Sequence, residues 1–146
     1  MAKLTFPFTK IKTAEGSFFD EPKIPVTFFT EKASIDTNAI LDTGSTISHI
    51  PRDIAEALGF DEKLAEKEFT CGIAGEQRVA NFQAKLKISR KGRGITINNF
   101  PLLVFLDDTD FCLLGLRPLF LHCNVEFRML DGKIEITEHN KQVLYK

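Results

Sequence analysis

Residues 39–45 read Ala39-Ile40-Leu41-Asp42-Thr43-Gly44-Ser45, an acid set directly behind three apolar residues and ahead of a hydroxyl, a glycine and a second hydroxyl. The apolar triplet marks a short buried strand, so the pattern places Asp42 away from an open, solvated surface. A carboxylate withdrawn from water is costly unless hydrogen-bond donors surround it. The next residues can supply them. Gly44 permits a tight turn that aims backbone N–H groups at the carboxylate, and the Thr43 and Ser45 hydroxyls can bond around the loop.

Outward from this loop the chain reads as strands. Upstream, Ile24-Pro25-Val26-Thr27-Phe28-Phe29 is a β-branched and aromatic run, and residues 30–38 are polar enough to be expected as a turn. Downstream, residues 46–50 can be extended again. Pro51 fits the first position of a helix, Ile54, Ala55 and Leu58 share one helical face, and Gly59 fits a left-handed stop. Further on, Ala80, Phe82, Ala84, Leu86 and Ile88 alternate with Asn81, Gln83, Lys85 and Lys87, a strand with one wet face. Ahead of it, Glu68-Phe69-Thr70 can pair back across Cys71-Gly72-Ile73-Ala74-Gly75-Glu76, giving a long hairpin with a mobile, glycine-bearing tip.

Residues 89–94 read as a turn, 95–97 as a short strand, and 100–106 as a separate buried one. Phe111-Cys112-Leu113-Leu114 is continuous and apolar and ends at Gly115, and Pro118 opens a short helix reaching about Cys123. Val125, Phe127 and Met129 then alternate up to Asp131-Gly132, a strong hairpin signal, with Ile134 and Ile136 beyond it. The expected product is an all-β protein of roughly nine short strands and two short helices, forming a single domain over residues 1–146.

Composition narrows the function. The chain has 146 residues, 43% hydrophobic and 27% charged, which is ordinary globular usage and argues against disorder. A net charge of -1 provides no field to attract nucleic acid or an anionic membrane. Lys85, Lys87, Arg90, Lys91 and Arg93 cluster without interleaved aromatics, as a solvated hairpin end would. Cys71, Cys112 and Cys123 have no paired close spacing, and His49, His122 and His139 make no metal spacing with them, so no zinc site and no disulfide framework is expected. No apolar leader follows Met1 and no apolar run is long enough to span a bilayer. A cytoplasmic protein, translated as such rather than cut from a precursor, is the expectation.

The loop at Asp42 resembles the active-site loop of aspartic proteases, which reads apolar-apolar-Asp-Thr/Ser-Gly-Ala/Ser. Two further stretches fit the retroviral type. Gly72-Ile73-Ala74-Gly75 is similar to the tip of the flap that closes over bound peptide, and Leu113-Leu114-Gly115 is similar to the apolar-apolar-Gly strand end that passes behind the catalytic loop. Order and spacing agree over residues 24–136, and the chain looks closest to single-domain retropepsin-like proteases encoded by prokaryotes. The resemblance implies a closed β-barrel with two short helices and a flap hairpin. It implies catalysis by Asp42, with Thr43, Gly44 and Ser45 completing the loop. Peptide would be bound by Gly72, Ile73, Ala74, Gly75, Ile47, Ile50, Leu114 and Gly115. It also implies a water activated between two aspartates that share one proton, with no metal and no cofactor.

The sequence departs from the family in two places. Leu116 precedes Arg117 where many relatives have arginine directly after the glycine, and Thr46 stands where retroviral members often have an acid. An ion pair familiar near the subunit contact is therefore not expected. The mechanism needs two carboxylates, yet none of Asp20, Asp36, Asp53, Asp61, Asp107, Asp108, Asp110 and Asp131 is followed by Thr/Ser-Gly. The second must come from a homodimer's symmetry mate. Residues 4–8 and 134–145 are candidates for strand pairing between subunits. A peptide or protein substrate is expected; the alternative is a dimer of the same fold that binds peptide, or only dimerises, without turnover.

Overall fold

Alternation of apolar and polar side chains gives each strand one face to bury, and here the strands bury those faces by closing into a ring. The structure, a computed structural model, describes residues 2–72 and 75–139. Strands β1 (Lys3–Pro7), β2 (Thr9–Lys12), β3 (Phe18–Glu21), β4 (Lys23–Phe29), β5 (Ser34–Leu41) and β6 (His49–Pro51) precede helix α1 (Arg52–Ala57). A single tight turn at Glu62–Leu64 leads to β7 (Lys67–Gly72), β8 (Gly75–Arg90), β9 (Arg93–Phe105) and β10 (Cys112–Leu114). Helix α2 (Leu119–His122) and strands β11 (Cys123–Arg128) and β12 (Lys133–Glu138) follow.

The main sheet runs β4-β5-β10-β6-β9-β8-β7, and β8 also pairs with β4 through Phe28 opposite Leu86, so the ring closes with β7 hanging from β8. Two of its pairings are parallel, β5 with β10 and β6 with β9. Inside the ring, Phe28 and Phe100 meet edge to face with centroids 6.3 Å apart, among the fully buried Ile24, Ile50, Leu86, Ile88 and Leu114. A second sheet, β1-β12-β11, brings Leu4, Phe6, Ile134 and Ile136 into the same core.

The all-β architecture, the hairpin of β7 and β8 and both short helices match the reading from sequence. Other details differ, each for a local reason. Residues 34–38 belong to β5 rather than to a turn: Ser34, Asp36 and Asn38 are its wet face, and Thr27 Oγ1 donates to Asp36 Oδ1 across the pair at 2.6 Å. The strands expected at 95–97 and 100–106 are one strand, β9. Its pairing shifts register between Ala84 and Leu86, which lie opposite Phe100 and Ile97. An extra residue in β9 there breaks the alternation that would have marked it as continuous.

Residues 3–7 and 133–137 pair with each other within one chain, Leu4 opposite Ile136 and Phe6 opposite Ile134. With β11 on its other side, β12 has both edges occupied and cannot accept a strand from a second subunit. Residues 140–145 of the segment named for that role lie outside the described residues, as do Ile73 and Ala74.

Ring closure makes a testable demand on Phe28. Phe28→Ala should cost about 3–5 kcal/mol, the usual loss for a fully buried phenylalanine. Urea unfolding would read it, and a loss below about 1 kcal/mol would mean that β4 is not fixed by this packing.

Candidate active site

Asp42 leaves the end of β5 on a loop fixed by backbone hydrogen bonds. Its N–H donates to the Leu114 carbonyl at 2.9 Å, extending by one residue the parallel pairing of Leu41 with Leu114. The Ser45 N–H donates to the Asp42 carbonyl at 3.2 Å, closing the turn. The Gly44 N–H donates to Asp42 Oδ1 at 2.9 Å, the donor anticipated from the glycine's place in the sequence. Ser45 Oγ donates to the Ile47 carbonyl at 2.7 Å. Thr43 is exposed at the crest of the loop, with no hydrogen bond among the described residues.

A second segment, residues 115–117, crosses this loop and is tied to it. Leu116 N–H donates to Ser45 O at 2.8 Å and Arg117 N–H to Thr46 O at 2.9 Å. The fully buried Ser48 hydroxyl completes the crossing, accepting from Gly115 N–H at 3.1 Å and donating to Arg117 O at 2.9 Å. Gly115 is required by proximity: a Cβ there would lie 2.5 Å from both the Ser45 and the Ile47 carbonyl oxygens. Those oxygens belong to backbone and cannot swing away.

The Asp42 side chain faces a cleft of about 540 Å³. Gly44, Ser45, Thr46 and Ile47 line it beside Asp42; Thr70, Cys71, Gly75 and Gln77 reach it from the β7–β8 hairpin. Leu103, Phe105, Phe111 and Leu113 form an apolar wall, and His49 stands among them. Asp42 is the one carboxylate among the described residues that line the cleft.

Strand periodicity sorts residues 47–50. Ile47 and His49 point to the cleft, whereas Ser48 and Ile50 point inward and are fully buried. Ile50 and Leu114 are buried core residues that support the cleft from behind. Gly115 is buried at the crossing and likewise does not line it. Gly72 pairs with Gly75 at the hairpin's end. The sequence reading missed Ser48 and His49, although a polar pair between Ile47 and Ile50 in an extended stretch was a usable signal. It also missed Leu103, Phe105, Phe111 and Leu113, whose apolar runs were indistinguishable from core.

His49 is held by its neighbours. Only 8% of it is exposed, and its ring stacks on Phe105 with centroids 4.7 Å and planes 8° apart. Nδ1 is buried without a hydrogen-bond partner. Burial lowers the pKa of His49, opposed in part by the charge of Asp42. Burial also pushes the Cys112 thiol up to about 11 and the Cys123 thiol up to about 12, so neither presents a thiolate nucleophile at neutral pH. No group of His, Cys, Asp and Glu among the described residues could hold a metal ion, and no helix there is long and apolar enough to cross a membrane.

The chain is similar to known proteins both by family model and by structure. The family model described as gag-polyprotein putative aspartyl protease matches residues 32–120. Among solved structures, that of a retropepsin-like aspartic protease from Rickettsia conorii has a TM-score of 0.63, covering 94% of this chain and 91% of that one at 19% identity. At so low an identity the likeness shows a shared fold. No curated protein sequence matches the chain.

Two measurements test the local account. Ser48→Ala should strand the Gly115 N–H in the interior and cost about 1–3 kcal/mol in urea unfolding. The second concerns His49, whose folded pKa lies below its unfolded value. Its contribution to stability is complete above about pH 6.5 and declines as pH falls toward the folded pKa, because the unfolded chain takes up a proton first. His122 is shifted in the same direction, chiefly by burial, and adds to the slope. His49→Phe should therefore flatten, without abolishing, the loss of stability between about pH 7.5 and about pH 5.5; an unchanged slope would contradict the assignment.

Proposed function

The chain belongs to the gag-polyprotein putative aspartyl protease family, and from that premise we propose that it is an aspartic endopeptidase acting as a homodimer, with the whole chain serving as one protease domain. The observation that carries this reading is that Asp42 is the one carboxylate among the described residues of the cleft, anchored at its backbone while the loop crest beside it stays exposed. Ile47 and Leu116 flank that crest at 39% and 40% exposure, apolar surface suited to cover by a second copy. A two-fold contact there would set Asp42 against its own counterpart.

Two carboxylates that close share one proton, because both cannot easily be ionised together. The ionised Asp42 takes a proton from a water lying between the pair as the water oxygen adds to the scissile carbonyl carbon. The protonated Asp42 polarises that carbonyl, and proton transfer to the departing amide nitrogen then lets the C–N bond break. Peptide would lie extended along the cleft beneath the β7–β8 hairpin, which acts as the flap, with backbone hydrogen bonds giving purchase and the apolar wall receiving side chains. Three unbridged cysteines, one exposed, suit a reducing compartment such as the cytoplasm.

Asp42→Asn should lower hydrolysis of a peptide library by at least about 100-fold while leaving fold and dimer intact by circular dichroism and sedimentation. A statine-type mimic should inhibit the unsubstituted protein. If the dimer cleaves no peptide between about pH 3 and about pH 8, the chain is instead a binding or dimerisation module.

A further inference from the structure

We propose that His49 sets the side-chain preference of the cleft, offering a ring nitrogen to an uncharged hydrogen-bonding side chain (Asn, Gln, Ser or Thr) of the bound peptide near the scissile bond. This rests on the protease reading above. His49 shares the cleft with Asp42 and stands among apolar neighbours, Leu103, Phe105, Phe111 and Leu113. An apolar pocket with one polar group at a fixed position discriminates by that group, since whatever binds must either satisfy it or leave it unpaired.

The position of the imidazole is not one that packing alone would select. Stacking on Phe105 could be supplied by any flat ring, and neither nitrogen has a hydrogen-bond partner among the described residues. An unpaired buried polar atom costs about 1–3 kcal/mol, so an apolar residue would suit the isolated chain better. Because Nδ1 is sealed from solvent, Nε2 is the nitrogen that a bound side chain can reach. A neutral imidazole presents Nε2 as donor or acceptor according to its tautomer. Amides and hydroxyls can answer either, whereas aliphatic side chains answer neither. A carboxylate would add negative charge beside Asp42, and burial opposes the imidazolium that would compensate for it.

The test is a peptide library varied one position at a time, read as kcat/KM for the unsubstituted protein, His49→Phe and His49→Gln. His49→Phe retains a ring to stack on Phe105 and removes the nitrogens. At one subsite the unsubstituted protein should favour Asn over Leu, and Thr over Val, by about tenfold, the worth of one hydrogen bond near the upper end of the usual range. His49→Phe should reverse that order and His49→Gln should keep it. Should His49→Phe fail to fold by circular dichroism, His49→Leu takes its place with the same expectation. A uniform drop in kcat/KM across all peptides would assign His49 a structural role and overturn the proposal, as would an unchanged order of preference in the nitrogen-free variant. Absence of cleavage by the unsubstituted protein would remove the protease reading and this inference together, whereas cleavage with a preference indifferent to His49 would remove this inference alone.

Discussion

Two backbone segments approach one another so closely in this protein that no side chain fits between them. Gly115 lies against the carbonyls of Ser45 and Ile47, and the buried Ser48 hydroxyl bonds to both Gly115 and Arg117. Hydrogen bonds from Asp42, Leu116 and Arg117 complete the crossing. Such contacts have little slack, because amide geometry is rigid and an unpaired buried N–H is expensive. The crossing therefore fixes where the Asp42 carboxylate begins, and the cleft is arranged around it.

The closed ring of strands provides the rigid frame for this crossing. Parallel pairing of β5 with β10 and of β6 with β9 brings four separated stretches of chain together beneath one cleft. Their inward residues make the core, and their alternate residues make the cleft wall. One backbone periodicity thus sets both packing and site: Ser48 and Ile50 hold the interior, while Ile47 and His49 face the space where a peptide is proposed to bind. A single carboxylate among the described residues of that space agrees with a site shared between two copies, which the exposed crest and its flanking Ile47 and Leu116 would serve.

Much of this was legible in the residues. The Asp42 loop, the glycine-bearing hairpin, the helix entered from Pro51 and the Asp131-Gly132 connection each carry chemistry that acts within a few residues. Where sequence reading failed, the cause was distant. The first half of β5 looked like a turn because Ser34, Asp36 and Asn38 are polar, and only its pairing with β4 makes them a strand's wet face. β9 looked like two strands because a register shift interrupts its alternation. The pairing of β1 with β12 joins the two ends of the chain and could be read from neither segment alone.

The sequence by itself determined the chemistry on offer: an acid followed by a tight-turning glycine, a glycine at the end of an apolar strand, and an alternation that builds β-structure. These are local properties, since φ/ψ freedom and side-chain polarity belong to each residue. The tertiary structure decided which apolar residues line the cleft and which fill the core, and that the need for glycine at 115 comes from carbonyls some seventy positions earlier in the chain. It also decided that His49 is a buried, unpaired imidazole beside Asp42 rather than a surface histidine. Burial and close approach are relations between distant segments, and they exist only once the ring has closed.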